Sequence, residues 1–201
     1  MNKAAEPDET LQYYAENAQA FAEGTISADM SDARRLFLHA IPEKAHILDF
    51  GCGSGRDTKA FLDLGYQMDA CDGSAELCQI ASEVTGIRVK QMLFQQLNEV
   101  AIYDGIWACA SILHLPKDEL RTVFEKIATA LKDHGVLYTS FKYGPFEGMR
   151  GGRFFTDFTE DSLRAFFETV PALQVFQMWI TDDVRAGREE ERWINILARK
   201  N

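Results

Sequence analysis

The chain has 201 residues, 46% of them hydrophobic and 26% charged, which suits one domain with a full core and leaves little room for a second. A formal net charge of −10 argues against a protein that grips nucleic acid through its overall field, because phosphate binding needs clustered Lys and Arg. No apolar run approaches the roughly 18 residues of a membrane span, and the polar start from Met1 to Thr10 lacks the apolar stretch of a signal peptide. Cys52, Cys71, Cys78 and Cys109 are unevenly spaced, so packed thiols in a cytoplasmic protein are expected rather than a metal site or disulfides.

Leu11 to Ala22 and Ser31 to Ile41 read as two helices, the second with Ala33, Leu36, Phe37, Ala40 and Ile41 at helical spacing and Pro42 as its stop. The pattern then alternates. A strand at His46 to Phe50 leads to a helix at Arg56 to Leu64, a strand at Gln67 to Cys71, a helix at Ser74 to Glu83 and a short strand at Arg88 to Met92. Gly105 to Ala110 reads as a buried strand, Lys117 to Lys132 as an amphipathic helix and Gly135 to Phe141 as a further strand. Such alternation implies parallel pairing with helices on both faces of a doubly wound, Rossmann-like α/β sheet. After a glycine- and charge-rich stretch from Tyr143 to Arg153, Glu160 to Glu168 reads as a helix capped by Thr159. Leu173 to Ile180 and Trp193 to Arg199, with no helix between them, should close the sheet as an antiparallel hairpin. Nothing marks a linker, so residues 1–45 are expected as helices covering the same domain that residues 46–201 build.

In open α/β sheets ligands bind beyond the carboxyl ends of the strands, and the candidate residues fall there. Gly51, Gly53 and Gly55 alternate after the first strand, giving a turn that a ligand can approach closely and a following helix that points free N–H groups at it. Asp72 ends the second strand about 20 residues further on, where a carboxylate can accept from both hydroxyls of a ribose. A dinucleotide fold wants G-x-G-x-x-G; here the spacing is G-x-G-x-G followed by Arg56 and preceded by Asp49, with no Walker-type phosphate loop.

With Asp72-Gly73-Ser74 and the ACASILHL segment at Ala108 to Leu115, this sequence resembles the class I S-adenosylmethionine-dependent methyltransferases, whose hallmark is a strand ending in D-x-G-x-G-x-G. GCGSGRD, ACASILHLP and the SFKYG run at Ser140 to Gly144, followed by Arg153 to Thr156, look more narrowly like the tellurite-resistance-type and related small-molecule enzymes. The resemblance implies a seven-stranded sheet and S-adenosylmethionine as methyl donor, leaving S-adenosylhomocysteine. It implies that Gly51, Gly53 and Gly55 line the methionine part, with Asp49, Cys52, Arg56 and Tyr14 in the same binding set. It further implies Asp72 at the ribose, Gly73 and Ser74 at the nucleoside edge, Leu93 and Phe94 at the adenine, and Ala110 and Ser111 beside the sulfonium. Adenine selection is expected from backbone groups or Gln95, since no carboxylate stands among Met92 to Gln95.

A small-molecule acceptor is expected, with neither nucleic acid nor membrane as partner. His114, just after the fourth strand, is the candidate general base if the acceptor arrives protonated, against a packing role. Tyr13, Tyr14, Phe21 and Arg34 either form a lid over the cofactor or pack the N-terminal helices, with Arg34 and Arg35 then on a solvated face. Arg150, Arg153, Arg185, Arg188 and Arg192 could recognise an anionic acceptor, but they alternate with Glu147, Glu189, Glu190 and Glu191 and so also read as surface ion pairs. His39, His46 and His134 show no metal-ligand spacing. A cofactor-binding protein of this fold without methyl transfer remains the alternative, and a nicotinamide oxidoreductase is disfavoured by the glycine spacing.

Overall fold

A computed structural model describes residues 9–185, 187–188 and 190–201; the acidic start from Met1 to Asp8, and Glu189, lie outside the described residues. In chain order the helices are α1 (Glu9–Thr25), α2 (Ser31–His39), α3 (Arg56–Asp63), α4 (Ala75–Thr85), α5 (Lys117–Ala130) and α6 (Glu160–Phe167). The strands are β1 (His46–Phe50), β2 (Gln67–Asp72), β3 (Lys90–Gln91), β4 (Tyr103–Ala108), β5 (Leu131–Lys142), β6 (Glu147–Arg150), β7 (Arg153–Thr156), β8 (Leu173–Asp182) and β9 (Arg192–Lys200). Seven strands form one sheet in the order β3-β2-β1-β4-β5-β9-β8. The β1, β2, β3, β4 and β5 pairings are parallel, and β9 runs antiparallel to both β5 and β8. This is the expected doubly wound sheet with a terminal antiparallel hairpin.

Alternation along each strand divides the core between two faces. Leu48, Phe50, Ile106, Leu137 and Phe141 join Leu120, Phe124, Leu163 and Phe167 of α5 and α6 in one buried cluster. Ile47, Trp107, Val136 and Tyr138 meet Phe37 of α2 and Phe61 of α3 in the other. Gly105 makes room for α2, because a Cβ there would lie 2.6 Å from the Phe37 ring. Trp107 stacks on Tyr138 with centroids 3.9 Å apart, filling the sheet centre with flat surface.

The helix expected over Lys117 to Lys132 ends at Ala130, where β5 begins, and the third strand shortens to Lys90–Gln91; two further departures bear on the site. The fourth strand runs from Tyr103 to Ala108 rather than to Ala110, because Ala110 adopts a left-handed conformation (φ 50°) that breaks the ladder. The stretch expected only as glycine- and charge-rich contains a separate two-stranded hairpin, β6 with β7. Gly151 and Gly152 turn it with φ of 59° and 76°, the positive values that a two-residue hairpin loop requires.

Helix α1 lies across the carboxyl end of the sheet. Leu11 sits where a Cβ on Gly73 would come within 2.6 Å of it, and the Phe154 amide of β7 donates to Thr10 Oγ1 at 3.0 Å. Together α1 and the β6–β7 hairpin roof the strand ends. Among the described residues no helix is long and apolar enough to cross a membrane.

Candidate active site

A cavity of about 450 Å³ opens beneath that roof, at the carboxyl ends of β1, β2 and β4. Its floor begins where β1 stops. The Gly51 and Cys52 amides both donate to Cys71 O at 2.9 Å, tying the glycine turn to β2, and Gly55 (φ 80°) turns the chain into α3. Ser111 Oγ donates to Phe50 O at 2.6 Å, and the Ala110 amide donates to Ser140 Oγ at 2.9 Å, so β1, β4 and β5 are joined just under the cavity. The left-handed Ala110 is backbone strain held at a binding wall by these bonds.

Asp72 closes β2, and its two carboxylate oxygens accept from the Gly53 amide at 2.9 Å and the Ser74 amide at 3.0 Å. A carboxylate has about four lone-pair sites, so it retains acceptor capacity toward the cavity it lines. Burial raises its pKa against the pull of those amides. Ser74 caps α4 by accepting from the Leu77 amide at 3.2 Å. The cavity wall includes Tyr14, Asp49, Gly51, Cys52, Gly53, Arg56, Asp72, Gly73, Leu93, Phe94, Ala110, Ser111 and His114 of the sequence candidates. Gly55 and Ser74 stand behind it: a Cβ on Gly55 would meet the Ala81 backbone of α4 at 3.1 Å, and Ser74 supports Asp72. Gln95 reaches the wall but donates to Glu119 Oε2 at 2.6 Å, while Gln96, not singled out by the sequence, accepts from the Leu93 amide at 2.8 Å.

A charge cluster lies under the glycine turn. Asp57 accepts from Arg34 at 2.6 Å, from Arg56 at 2.6 Å and from Trp107 Nε1 at 3.0 Å. Burial works to raise the Asp57 pKa, and the Arg56 and Arg34 guanidiniums outweigh it and hold the carboxyl below the usual range. Arg34 is therefore an internal partner rather than part of a solvated face; only Arg35, with its side chain 60% exposed, is solvated. The neighbouring Asp49 accepts from Thr58 Oγ1 at 2.5 Å, and burial beside the Asp57 charge pushes it up to about 7. Asp57 is the last residue of the GCGSGRD motif, but its role as the centre of this cluster, like that of Trp107, is not legible in the sequence, because Arg34 and Trp107 reach it from distant positions.

His114 is held at both ring nitrogens. Its Nδ1 lies 2.6 Å from Phe154 O and its Nε2 2.7 Å from the Tyr14 hydroxyl. A carbonyl can only accept, so Nδ1 carries the proton and Nε2 accepts from Tyr14. Burial, aided by the charges of Arg153 and Arg150, pushes the imidazole down to about 4, while burial also raises the Tyr14 phenol.

The cavity wall also carries basic and aromatic side chains, Lys142, Arg153, Arg185, Arg188, Trp179 and Trp193. Lys142 pairs with Glu191 and lies 5.0 Å over the Trp193 ring, and burial lowers its amine to about 8. Arg185 pairs with Asp183 at 2.5 Å and Arg188 with Glu191 at 3.2 Å. Of the five arginines in the two late loops, Arg150 and Arg192 stay outside the wall: Arg150 grips Asp157 with two bonds of 3.0 and 3.1 Å, and Arg192 lies 5.1 Å over Tyr143.

Comparison with known proteins agrees with this architecture. Residues 47–135 match the family described as "Methyltransferase domain". The Bacillus subtilis protein named "Putative methyltransferase YqeM" is 28% identical over 114 residues, covering 51% of this chain; the chain spans only 46% of that relative's length. Among solved structures, the 1,6-didemethyltoxoflavin-N1-methyltransferase of Burkholderia thailandensis, with 1,6-didemethyltoxoflavin and S-adenosylhomocysteine bound, superposes with a TM-score of 0.73 at 21% identity, covering 100% of this chain and 93% of its own. A TehB-like S-adenosylmethionine-dependent methyltransferase of Corynebacterium glutamicum gives 0.67 at 20% identity, covering 95% and 98%. Residues 47–135 thus match a methyltransferase-domain family, and the chain has the fold of the class I S-adenosylmethionine-dependent enzymes. The narrower tellurite-type resemblance is matched at the level of fold.

Proposed function

We propose that the protein transfers a methyl group from S-adenosylmethionine to a small-molecule acceptor. The observation that carries this reading is Asp72, an acceptor-only group with lone pairs to spare, sharing one cavity wall with the Gly53 backbone and with a set of basic and aromatic side chains. The donor set suits the cofactor: a carboxylate for a diol, left-handed glycine for close approach, and Leu93 and Phe94 as apolar cover for a base. Asp72 would hold the ribose, Gly51, Cys52, Gly53 and Arg56 the methionine part, and Gly73, Leu93 and Phe94 the adenosine. Tyr14, Ala110 and Ser111 would face the sulfonium. Gly55 and Ser74 contribute by setting α3 and Asp72. Bound S-adenosylmethionine supplies a methyl group already activated for nucleophilic attack.

The chain's own task is then positioning and exclusion of water, and orientation alone can contribute several kcal/mol. The roof of α1 and the β6–β7 hairpin covers the strand ends and would help to exclude water from a bound ligand. His114, neutral and engaged at both nitrogens, acts through Tyr14, fixing its hydroxyl with the proton directed at Nε2 and its lone pairs directed elsewhere. His114 is in this reading a positioning residue. The four free cysteines, with burial pushing Cys78 up to about 11 and Cys109 up to about 12, fit a reducing compartment such as the cytoplasm.

Calorimetry with S-adenosylhomocysteine and with NADH tests the cofactor. Binding of the first in the micromolar range and not the second is expected; no binding of S-adenosylhomocysteine overturns the reading. Transfer from tritiated S-adenosylmethionine to a panel of small acceptors then separates an enzyme from a binding protein of the same fold.

A further inference from the structure

Five cationic side chains reach the cavity wall, and four of them meet a carboxylate: Arg56 meets Asp57, Lys142 and Arg188 meet Glu191, and Arg185 meets Asp183. Arg153 differs. No carboxylate pairs with it among the described residues, although the chain as a whole carries an excess of ten negative charges. Its guanidinium lies over the Tyr13 ring at 4.4 Å, near Phe155 at 5.1 Å and near Tyr14 at 5.7 Å. Nη1 donates to the Tyr14 hydroxyl at 3.4 Å, a long bond. Nε is the only side-chain nitrogen or oxygen among the described residues that is fully buried without a partner, and Nη2 makes no hydrogen bond to a described residue but is not sealed in.

Aromatic rings pack around the guanidinium, and Nη2 is the N–H group left open to an oxygen acceptor that would also neutralise the charge beside the unmatched Nε. A hydrated surface arginine would need neither the aromatic stack nor an unmatched buried N–H. The local chemistry is that of a carboxylate receptor whose occupant is not among the described residues.

We propose that Arg153 receives a carboxylate of the methyl acceptor, which makes the substrate an organic acid whose remaining body lies against the aromatic side chains that line the cavity. This rests on the methyltransferase reading for the identity of the occupant as acceptor. The cofactor has a carboxylate of its own, and the experiment separates the two.

Benzoate, a flat ring with one carboxylate, and its neutral analogue benzamide are titrated calorimetrically into protein loaded with S-adenosylhomocysteine, using wild type, Arg153→Met and Arg153→Lys. Methionine keeps an unbranched stem against Tyr13 and Phe155, and thermal melting checks the fold of each variant. Benzoate is expected to bind wild type, to weaken by at least about tenfold in Arg153→Met and to be partly retained in Arg153→Lys, with benzamide weaker throughout. S-adenosylhomocysteine affinity is expected to stay within about twofold in all three. Failure of benzoate to bind wild type, equal binding of benzoate and benzamide, or equal benzoate affinity in wild type and Arg153→Met overturns the assignment. A loss of S-adenosylhomocysteine affinity in Arg153→Met also overturns it, by giving the arginine to the cofactor. If S-adenosylhomocysteine fails to bind wild type, the methyltransferase reading falls, and the same benzoate titration on unloaded protein still decides the role of Arg153.

Discussion

The Tyr14 hydroxyl donates to His114 Nε2 across 2.7 Å, joining the roof helix α1 to the turn after β4. His114 must be neutral to accept this bond. Its pKa of about 4 in the fold, against about 6.5 in an unfolded chain, means the unfolded state binds more protons between those values. The His114 contribution is therefore complete above about pH 6.5 and is lost as pH falls toward 4, on the order of 3 kcal/mol. Asp49, raised to about 7, works in the opposite sense over much of the same window, so total stability is a poor readout. Urea unfolding from pH 4 to 7 should show a stability-versus-pH slope that is less positive in His114→Gln than in wild type. Parallel slopes would mean that the imidazole takes up its proton in the fold as readily as in the unfolded chain, and so is not held neutral.

Asp72 should report on both the turn and the cofactor. Its two oxygens each accept a backbone amide, so Asp72→Asn sets an NH2 against the Gly53 or Ser74 N–H and the melting temperature is expected to fall, although burial of the charge offsets part of the loss. The same change turns one acceptor into a donor facing the ribose, and the loss of charged hydrogen bonds should weaken S-adenosylhomocysteine binding by about 1.5 to 3 kcal/mol. Calorimetry and melting on one preparation measure both. Unchanged affinity would place the ribose elsewhere.

What could be read from the chain was whatever local periodicity or a spaced motif encodes. Ile47, Leu48, Phe50 and then three alternate glycines announce β1 and its turn, and the repeated strand–helix rhythm gives the doubly wound order. Ala110 ended β4 two residues early because its left-handed backbone depends on bonds from Ser140 and Ser111, distant partners that no window contains. The β6–β7 hairpin was legible in principle: Gly151-Gly152 between Met149 and Phe154 is a two-residue turn signal, masked by the surrounding charges. The late arginines could not be sorted by sequence, because ion pairing with Asp157, Asp183 or Glu191 is settled only when the loops are placed.

Asp57 should be the most costly carboxylate to remove. Arg34 and Arg56 have side chains only 17% and 19% exposed, and Trp107 Nε1 donates to the same group. Asp57→Ala would leave two guanidiniums and an indole N–H without their partner, a loss of the kind that costs about 3 to 5 kcal/mol. Asp57→Asn, which keeps one acceptor, should cost less. Urea denaturation ranks the two, and a change below about 1 kcal/mol for Asp57→Ala would show that Arg34 and Arg56 are solvated in practice.

Neighbouring glycines of the turn should fail for different reasons. At Gly51, φ is 87° and a Cβ would lie 2.4 Å from the Ser111 Cβ, whose hydroxyl is committed to Phe50 O. Gly51→Ala therefore strains the junction of β1 and β4 and is expected to lower the melting temperature strongly. At Gly53, φ is 54°, a left-handed value that alanine adopts at about 1 to 2 kcal/mol, and the Cβ meets only the Phe21 ring of α1, at 3.1 Å. Gly53→Ala should stay folded but push α1 off the cavity, weakening S-adenosylhomocysteine binding. Shrinking the obstacle with Phe21→Leu in the Gly53→Ala background should then recover part of the affinity, a coupling that a double-mutant cycle reads directly. Strictly additive effects would mean that Phe21 does not mediate the loss and that the alanine methyl blocks the ligand itself.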